Sequence, residues 1–371
     1  MDKKLKISNN LADTKARSPY WDNIKGVLII LVVFAHCLYS LQDLTINNLI
    51  VDAIYYFHMP AFVFVSGFFS KSERCRSRNA VLQLLIAYFL FMLPFLLYNT
   101  YLGKEPRIIN AYYSAWYLMA LVIWRLITPY LARFKGIMPV IIIFSILVGF
   151  WGTVNGESAL SINKVVTFWP YFMAGYLLKA EAVDNKIKAV KTPIRLSAGI
   201  VAVAGAALVE AVSYKALHIT DRDLLPNKYS GFGLEDPASR IAIMVVSVLM
   251  IAAFLFLSVD RKIPIITMAG KNSLTIYLFH RIFTMIYSNQ VEDLRARWQI
   301  LGAVLCTLLI VLVFGNNFVS KYVNMFIKNC ADSVSFLPNG NAKKNKIYRI
   351  ILLTLLTIAF IAPICAGFIR N

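Results

Sequence analysis

Of the 371 residues, 59% are hydrophobic and only 15% are charged, and the mean hydropathy is +0.64. A soluble domain of this size carries about 25% charged and about 45–50% apolar residues, so this excess cannot be hidden in one core beneath a wettable surface. That excludes a soluble globular enzyme and a disordered chain, and leaves a polytopic membrane protein whose net charge of +19 is first a topology signal.

The first 23 residues are polar and basic, and the apolar run after them continues past His36 as a full span, unlike a cleavable signal peptide. Apolar runs then recur at 24–42, 48–69, 80–99, 113–131, 137–152, 164–178, 196–213, 239–258, 272–288, 299–315 and 350–368. Each is about long enough to cross the hydrocarbon. Runs such as VLIILVVFA (27–35) do not alternate, so a β-barrel is excluded and the spans are helices. With the N-terminus inside, cytoplasmic segments hold 24 of the 38 Lys and Arg residues and outer segments hold 9. This bias orients the chain and accounts for most of the basic excess without nucleic acid.

The first span, WDNIKGVLIILVVFAHCLYS, carries Asp22, Lys25 and His36. Eleven residues bring Lys25 and His36 to within roughly 20° of one face, with His36 roughly 16 Å deeper; Asp22 falls on the same stripe. A cation at the cytoplasmic mouth that snorkels, and an imidazole that bonds a neighbouring helix, is one reading. An imidazole that serves as general base is the other. The second span holds Asp52 and His58, and Pro60 should kink it just after His58. Ser66-Gly67 allows close backbone approach. The following KSERCRSR places Lys71, Arg74, Arg76 and Arg78 at the cytoplasmic surface, where they suit phosphates and anionic lipid headgroups equally.

The fourth span carries Trp116, Tyr117 and Arg125. Segment 214–238 is an outer loop of mixed charge. In AGKNSLTIYLFHRIF, Asn272 and Ser273 are candidate caps, while Tyr277 and His280 sit within the span. Segment 316–349 is basic and includes LPNGNAKKNK, a flexible link to a last span. The cysteines Cys37, Cys75, Cys306, Cys330 and Cys365 show no metal-ligand spacing, and no P-loop or dinucleotide fingerprint is present.

In order along the chain stand WDNIKG…FAH, FHMPAFVFVSGFFSK, AWYLMALVIWRLITP, FWPYFMAGYLLK and GKNSLTIYLFHR. Over about residues 18–290 this series resembles the membrane acyltransferase family 3, in particular its fucose 4-O-acetylase-like branch. The resemblance implies an all-α membrane domain of about ten core helices over 24–315, with 1–23 as a cytoplasmic segment. Outside the resemblance, the residues themselves predict a basic linker over 316–349 and an eleventh helix over 350–371. The resemblance also implies acyl transfer, most simply O-acetylation, from cytoplasmic acetyl-CoA or another acyl-CoA to a carbohydrate hydroxyl of a surface or exported glycan, with no metal. The family's basic residue and histidine, separated by ten residues, fall on Lys25 and His36. Many members have arginine at the first position, and lysine lacks its planar fork.

On this reading His36, Lys25 and Asp22 are catalytic. His58, Ser66, Trp116, Arg125, Tyr277 and His280 contact substrate, and Lys71, Arg74 and Arg76 hold the acyl-CoA. The expected setting is the cell membrane, with lipids as neighbours and the N-terminus cytoplasmic. The rival readings are a polysaccharide or lipid-linked sugar exporter, and a scaffold without chemistry.

Overall fold

The computed structural model describes residues 18–41, 45–102, 111–151, 159–217, 229, 235–334 and 346–355. Residues 218–228 and 230–234 of the segment read as an outer loop, 337–345 of the segment read as a link and 356–368 of the last apolar run lie outside the described residues. The described residues are helical, without strands. The helices are α1 Pro19–Leu38, α2 Thr45–Tyr55, α3 His58–Phe69, α4 Glu73–Arg76, α5 Arg78–Tyr101, α6 Trp116–Leu131 and α7 Ile137–Leu147. They continue with α8 Ile162–Leu177, α9 Thr192–Leu217, α10 Glu235–Leu257, α11 Pro264–Lys271, α12 Ser273–Val291, α13 Ala296–Phe314 and α14 Asn317–Val334. Among the described residues seven helical stretches are long and apolar enough to span a bilayer: 19–38, 46–69, 78–101, 113–131, 192–212, 236–257 and 296–314.

Helix α1 is the hub. It packs against α2, α3, α11, α12 and α13, and Leu28, Ile29, Val33 and Ala35 are fully buried. Pro19 starts it, where a missing N–H costs nothing, and Asp22 lies in the first turn, where the helix dipole favours an anion. Helices farther out are different. α9 and α13 expose Ile200, Val201, Leu208, Leu305 and Leu309. In water such a surface would drive association, whereas in a bilayer it is the ordinary lipid-facing surface.

Two close backbone crossings hold the bundle. A Cβ on Gly26 would collide with the Ile266 carbonyl oxygen, and one on Gly270 with that of Asp22, so α1 and α11 touch backbone to backbone. Gly67 and Gly175 meet the carbonyls of Phe172 and Phe64 in the same reciprocal way, which joins α3 to α8. The close approach read from Ser66-Gly67 is therefore present.

The N-terminal end of α1 is clasped by the turn after α10. Asp260 accepts from Ser18 Oγ (3.1 Å), the Tyr20 amide (3.2 Å) and Lys188 Nζ (2.9 Å), and Lys188 also pairs with Asp184 at 3.1 Å. Asn23 Nδ2 donates to the carbonyls of Val259 and Arg261, each at 2.9 Å. Burial raises the Asp260 pKa, but the hydrogen bonds from Lys188, Ser18 and Tyr20 outweigh it and hold the carboxyl below its usual range. The clasp is therefore complete above the ordinary carboxylate pKa and weakens as pH falls through the depressed one. Asp260→Asn should lower the melting temperature in detergent at pH 7, by under about 1 kcal/mol of stability for so exposed a pair. The gap from wild type should shrink on acidification toward pH 3; a gap that stays constant with pH would contradict this.

Three expectations are corrected. The second span breaks at residues 56–57, before His58, so Pro60 lies in the first turn of α3. A proline cannot donate and crowds the carbonyl four residues back, so the break falls upstream of it. Asn272 makes no side-chain cap; its Nδ2 donates to the Gly315 carbonyl (2.6 Å) and to Asn317 Oδ1 (3.0 Å). Segment 316–349, read as a linker, contains α14, which packs on α5 and buries Ser320, Ile327, Cys330 and Ala331.

Candidate active site

The break before His58 and the turn of α12 bring three histidines around the C-terminal half of α1. His36 Nδ1 lies 3.1 Å from Tyr55 Oη, and its ring centroid lies 5.2 Å from that of His280. Tyr55 stacks on Tyr39 at 5.4 Å and lies 4.7 Å from the His58 ring. His58 and His280 are both buried.

Two tautomers follow from the partners. His58 Nδ1 faces the Ile54 carbonyl at 2.9 Å, and His280 Nδ1 faces the Tyr277 carbonyl at 2.7 Å. A carbonyl only accepts, so both Nδ1 atoms carry the proton and each neutral ring keeps its lone pair on Nε2. The His280 Nε2 is buried and has no partner among the described residues. At His36 the partner is a hydroxyl, which fits either tautomer. With Nδ1–H donating to Tyr55, Nε2 is left able to accept a proton.

A polar thread leads from this cluster to the other end of α1. Tyr277, whose hydroxyl donates to the Ser114 carbonyl, lies 5.6 Å from the His280 ring and 5.5 Å from that of Tyr117. Tyr117 Oη meets Ser66 Oγ at 2.5 Å, and the Ser66 carbonyl accepts from Ser70 Oγ at 2.7 Å. Arg125 Nε donates to Ser70 Oγ at 3.2 Å, and its Nη1 reaches the Cys75 carbonyl at 3.5 Å. Trp116 borders the thread, stacked on Phe168 at 5.0 Å. Spaced about a turn apart, Ser66 and Ser70 put their hydroxyls on one face of the last turns of α3.

At the thread's far end Asp22 and Lys25 form an ion pair of 2.8 Å, with Lys25 5.3 Å from the Phe69 ring centroid. Trp21 stacks on Phe68 at 4.1 Å, and Lys71 Nζ lies over Phe68 at 4.3 Å and donates to the Leu178 carbonyl. Partial burial pushes the Lys71 ammonium pKa down, while Glu181 opposes that shift. Arg74 is exposed, and Arg76, partly buried, has an Nε without a partner among the described residues.

The structure thus joins His36, His58, Tyr277 and His280 in one cluster, and Ser66 and Arg125 in the thread. Asp22, Lys25 and Lys71 gather at the opposite end. Lys25 and His36 share a helix but stand about 16 Å apart along it, so they cannot act on one atom. Sequence reasoning passed over Tyr55 and Arg281. Arg281 is buried, with its guanidinium 4.7 Å from the Tyr113 ring centroid. An arginine beside His280 in an apolar helix is itself a signal, because an intramembrane charge costs about 2.5–3.5 kcal/mol on insertion scales. No group of three or more metal-ligating side chains occurs among the described residues.

A multi-helix body with seven stretches long and apolar enough to span a bilayer defines the class as a multi-pass membrane protein. The family model of acyltransferase family 3, described as an acyltransferase domain, matches residues 18–316. That is most of the chain, and the chain belongs to this family of membrane acyltransferases. No curated protein and no solved structure matches it.

Proposed function

We propose that this protein is an O-acetyltransferase of the cell membrane, close to the fucose 4-O-acetylase-like branch. It moves an acetyl group from cytoplasmic acetyl-CoA to a hydroxyl of a surface or exported glycan. The N-terminus lies in the cytoplasm, and about ten core helices over 24–315 form the catalytic body. An eleventh follows over 350–371, beyond a basic segment. The observation that carries this reading is the histidine cluster joined by a polar thread to a basic end.

The acyl-CoA phosphates dock at Lys71, Arg74, Arg76 and Lys25, on the basic side. The thioester reaches inward along Arg125, Ser66 and Tyr277. The acceptor hydroxyl enters from the opposite side, between His36 and His280, with His58 and Trp116 bordering the path. The hydroxyl oxygen attacks the thioester carbonyl carbon while His36 Nε2 takes the hydroxyl proton. The carbon–sulfur bond then breaks, and the CoA thiolate leaves with that proton. Asp22 acts at a distance, by holding the Lys25 ammonium in place.

If Lys25 grips the donor, Lys25→Ala should raise the apparent acyl-CoA KM about tenfold and change kcat less. Because that variant removes the ion pair of the buried Asp22, Asp22→Asn/Lys25→Ala should behave the same way. A fall in kcat at unchanged KM would remove the assignment. The function itself is tested in proteoliposomes supplied with acetyl-labelled CoA on one side and a glycan on the other. Label should appear as an alkali-labile ester on the glycan; hydrolysis to free acetate alone would count against it.

A further inference from the structure

Arg281 differs from the other arginines of the bundle in that two of its nitrogens, rather than one, are buried without a hydrogen-bond partner among the described residues. Arg125 donates to Ser70 and to the Cys75 carbonyl, Arg240 donates to the Ser145 carbonyl at 3.0 Å, and Lys25 pairs with Asp22. Arg281 is only 5% exposed, yet its Nε and Nη1 have no hydrogen-bond partner among the described residues. Its electrostatic neighbours there are Tyr55, Tyr113, Tyr39 and Cys37, with no carboxylate among them. A buried guanidinium without a counter-charge is costly to keep, unless something that binds supplies the charge.

The surroundings say what that something is. Arg281 is an electrostatic neighbour of His36, and it follows His280 in the chain. His280 Nε2, a lone pair without a partner, asks for a donor such as a hydroxyl. Arg281 asks for an anionic oxygen. Tyr39 and Tyr55, stacked on each other, and Tyr113, whose ring lies under the guanidinium, make the surroundings aromatic. One molecule that meets both demands is a sugar bearing both hydroxyls and a negative charge.

Resting on the acyltransfer reading, we infer that Arg281 selects an acidic acceptor: its guanidinium binds an anionic oxygen of the acceptor sugar, a carboxylate or a phosphate, while His280 Nε2 accepts from a hydroxyl of the same molecule. Arg281 is then a specificity residue, and the acceptor glycan is acidic near the acetylated position.

The test uses the full-length protein in proteoliposomes with labelled acetyl-CoA. It compares a glucuronic-acid-containing disaccharide, its carboxyl-reduced counterpart and a sugar phosphate, measuring both equilibrium binding and acetyl transfer. Wild type should favour one of the two anionic acceptors over the neutral one by about 10- to 100-fold, the worth of a charge-assisted hydrogen bond. Which anion wins separates carboxylate from phosphate. In Arg281→Gln the preference should collapse toward unity, and Arg281→Lys should retain part of it. Equal use of all three acceptors by wild type would overturn the inference. So would an Arg281→Gln variant that loses the same factor on charged and neutral acceptors, since that marks a role in the chemical step instead. Should Arg281→Gln not fold, the wild-type and Arg281→Lys ratios decide alone. Arg281-dependent binding of the anion without any transfer would sustain this inference and defeat the acyltransfer reading. Transfer without charge preference would do the reverse, and neither binding nor transfer would overturn both.

Discussion

His36→Ala should lower acyl transfer by about 10²–10⁴-fold, the usual worth of general-base help, while protein level and melting temperature stay near wild type. The imidazole is partly exposed within the cluster and hydrogen-bonds Tyr55, so little packing is lost with it. Tyr55→Phe keeps the ring that stacks on Tyr39 but removes the oxygen that orients Nδ1–H. It should cost roughly tenfold, one hydrogen bond's worth, chiefly in kcat. Turnover by His36→Ala within twofold of wild type would remove the proton-transfer role.

Gly175→Val should be the most damaging substitution away from the chemistry. Any Cβ there falls on the Phe64 carbonyl oxygen and crowds the Phe68 amide at 3.0 Å. Neither is the tip of a flexible side chain, so α3 and α8 must separate. Overpacking costs about 1–3 kcal/mol in ordinary cores, and a backbone crossing has less room to give. Because α3 carries His58 and Ser66 and ends on Ser70, the shift also breaks the thread, so folded yield and transfer should both fall at least tenfold. Gly205→Ala is the control. Its nearest foreign atom is Leu249 Cδ1 at 3.6 Å, an ordinary contact, and alanine favours the helix. Equal tolerance of both substitutions, measured by size-exclusion yield, would refute the crossing.

Seven of the spans were legible as helices long and apolar enough to cross a bilayer, because apolar length is a one-dimensional property. The stripe of Asp22, Lys25 and His36 was legible because helical periodicity is one too. What crosses between helices was not. Nothing in the order of residues says that Tyr55 reaches back to His36, or that His280 comes to lie 5.2 Å from it. Helix α14 was missed because it is polar on one side and buries only a narrow face, so no apolar run betrays it. The break before His58 was placed two residues late because Pro60 marks where a helix cannot continue from, not where it stops. Arg281 was visible as a charge in an apolar span, but its unsatisfied donors exist only in three dimensions.

In the proposed function His36 drives transfer of an acyl group to a glycan hydroxyl. It is tested most directly by comparing O-acyl groups on the host's surface glycan, by NMR and mass, in wild type and in a His36→Ala strain with matched protein levels. Loss of the O-acyl signal with the amount of polymer unchanged is the predicted result. Intact acylation in the His36→Ala strain would contradict it, and intact acylation with missing surface polymer would turn the reading to export.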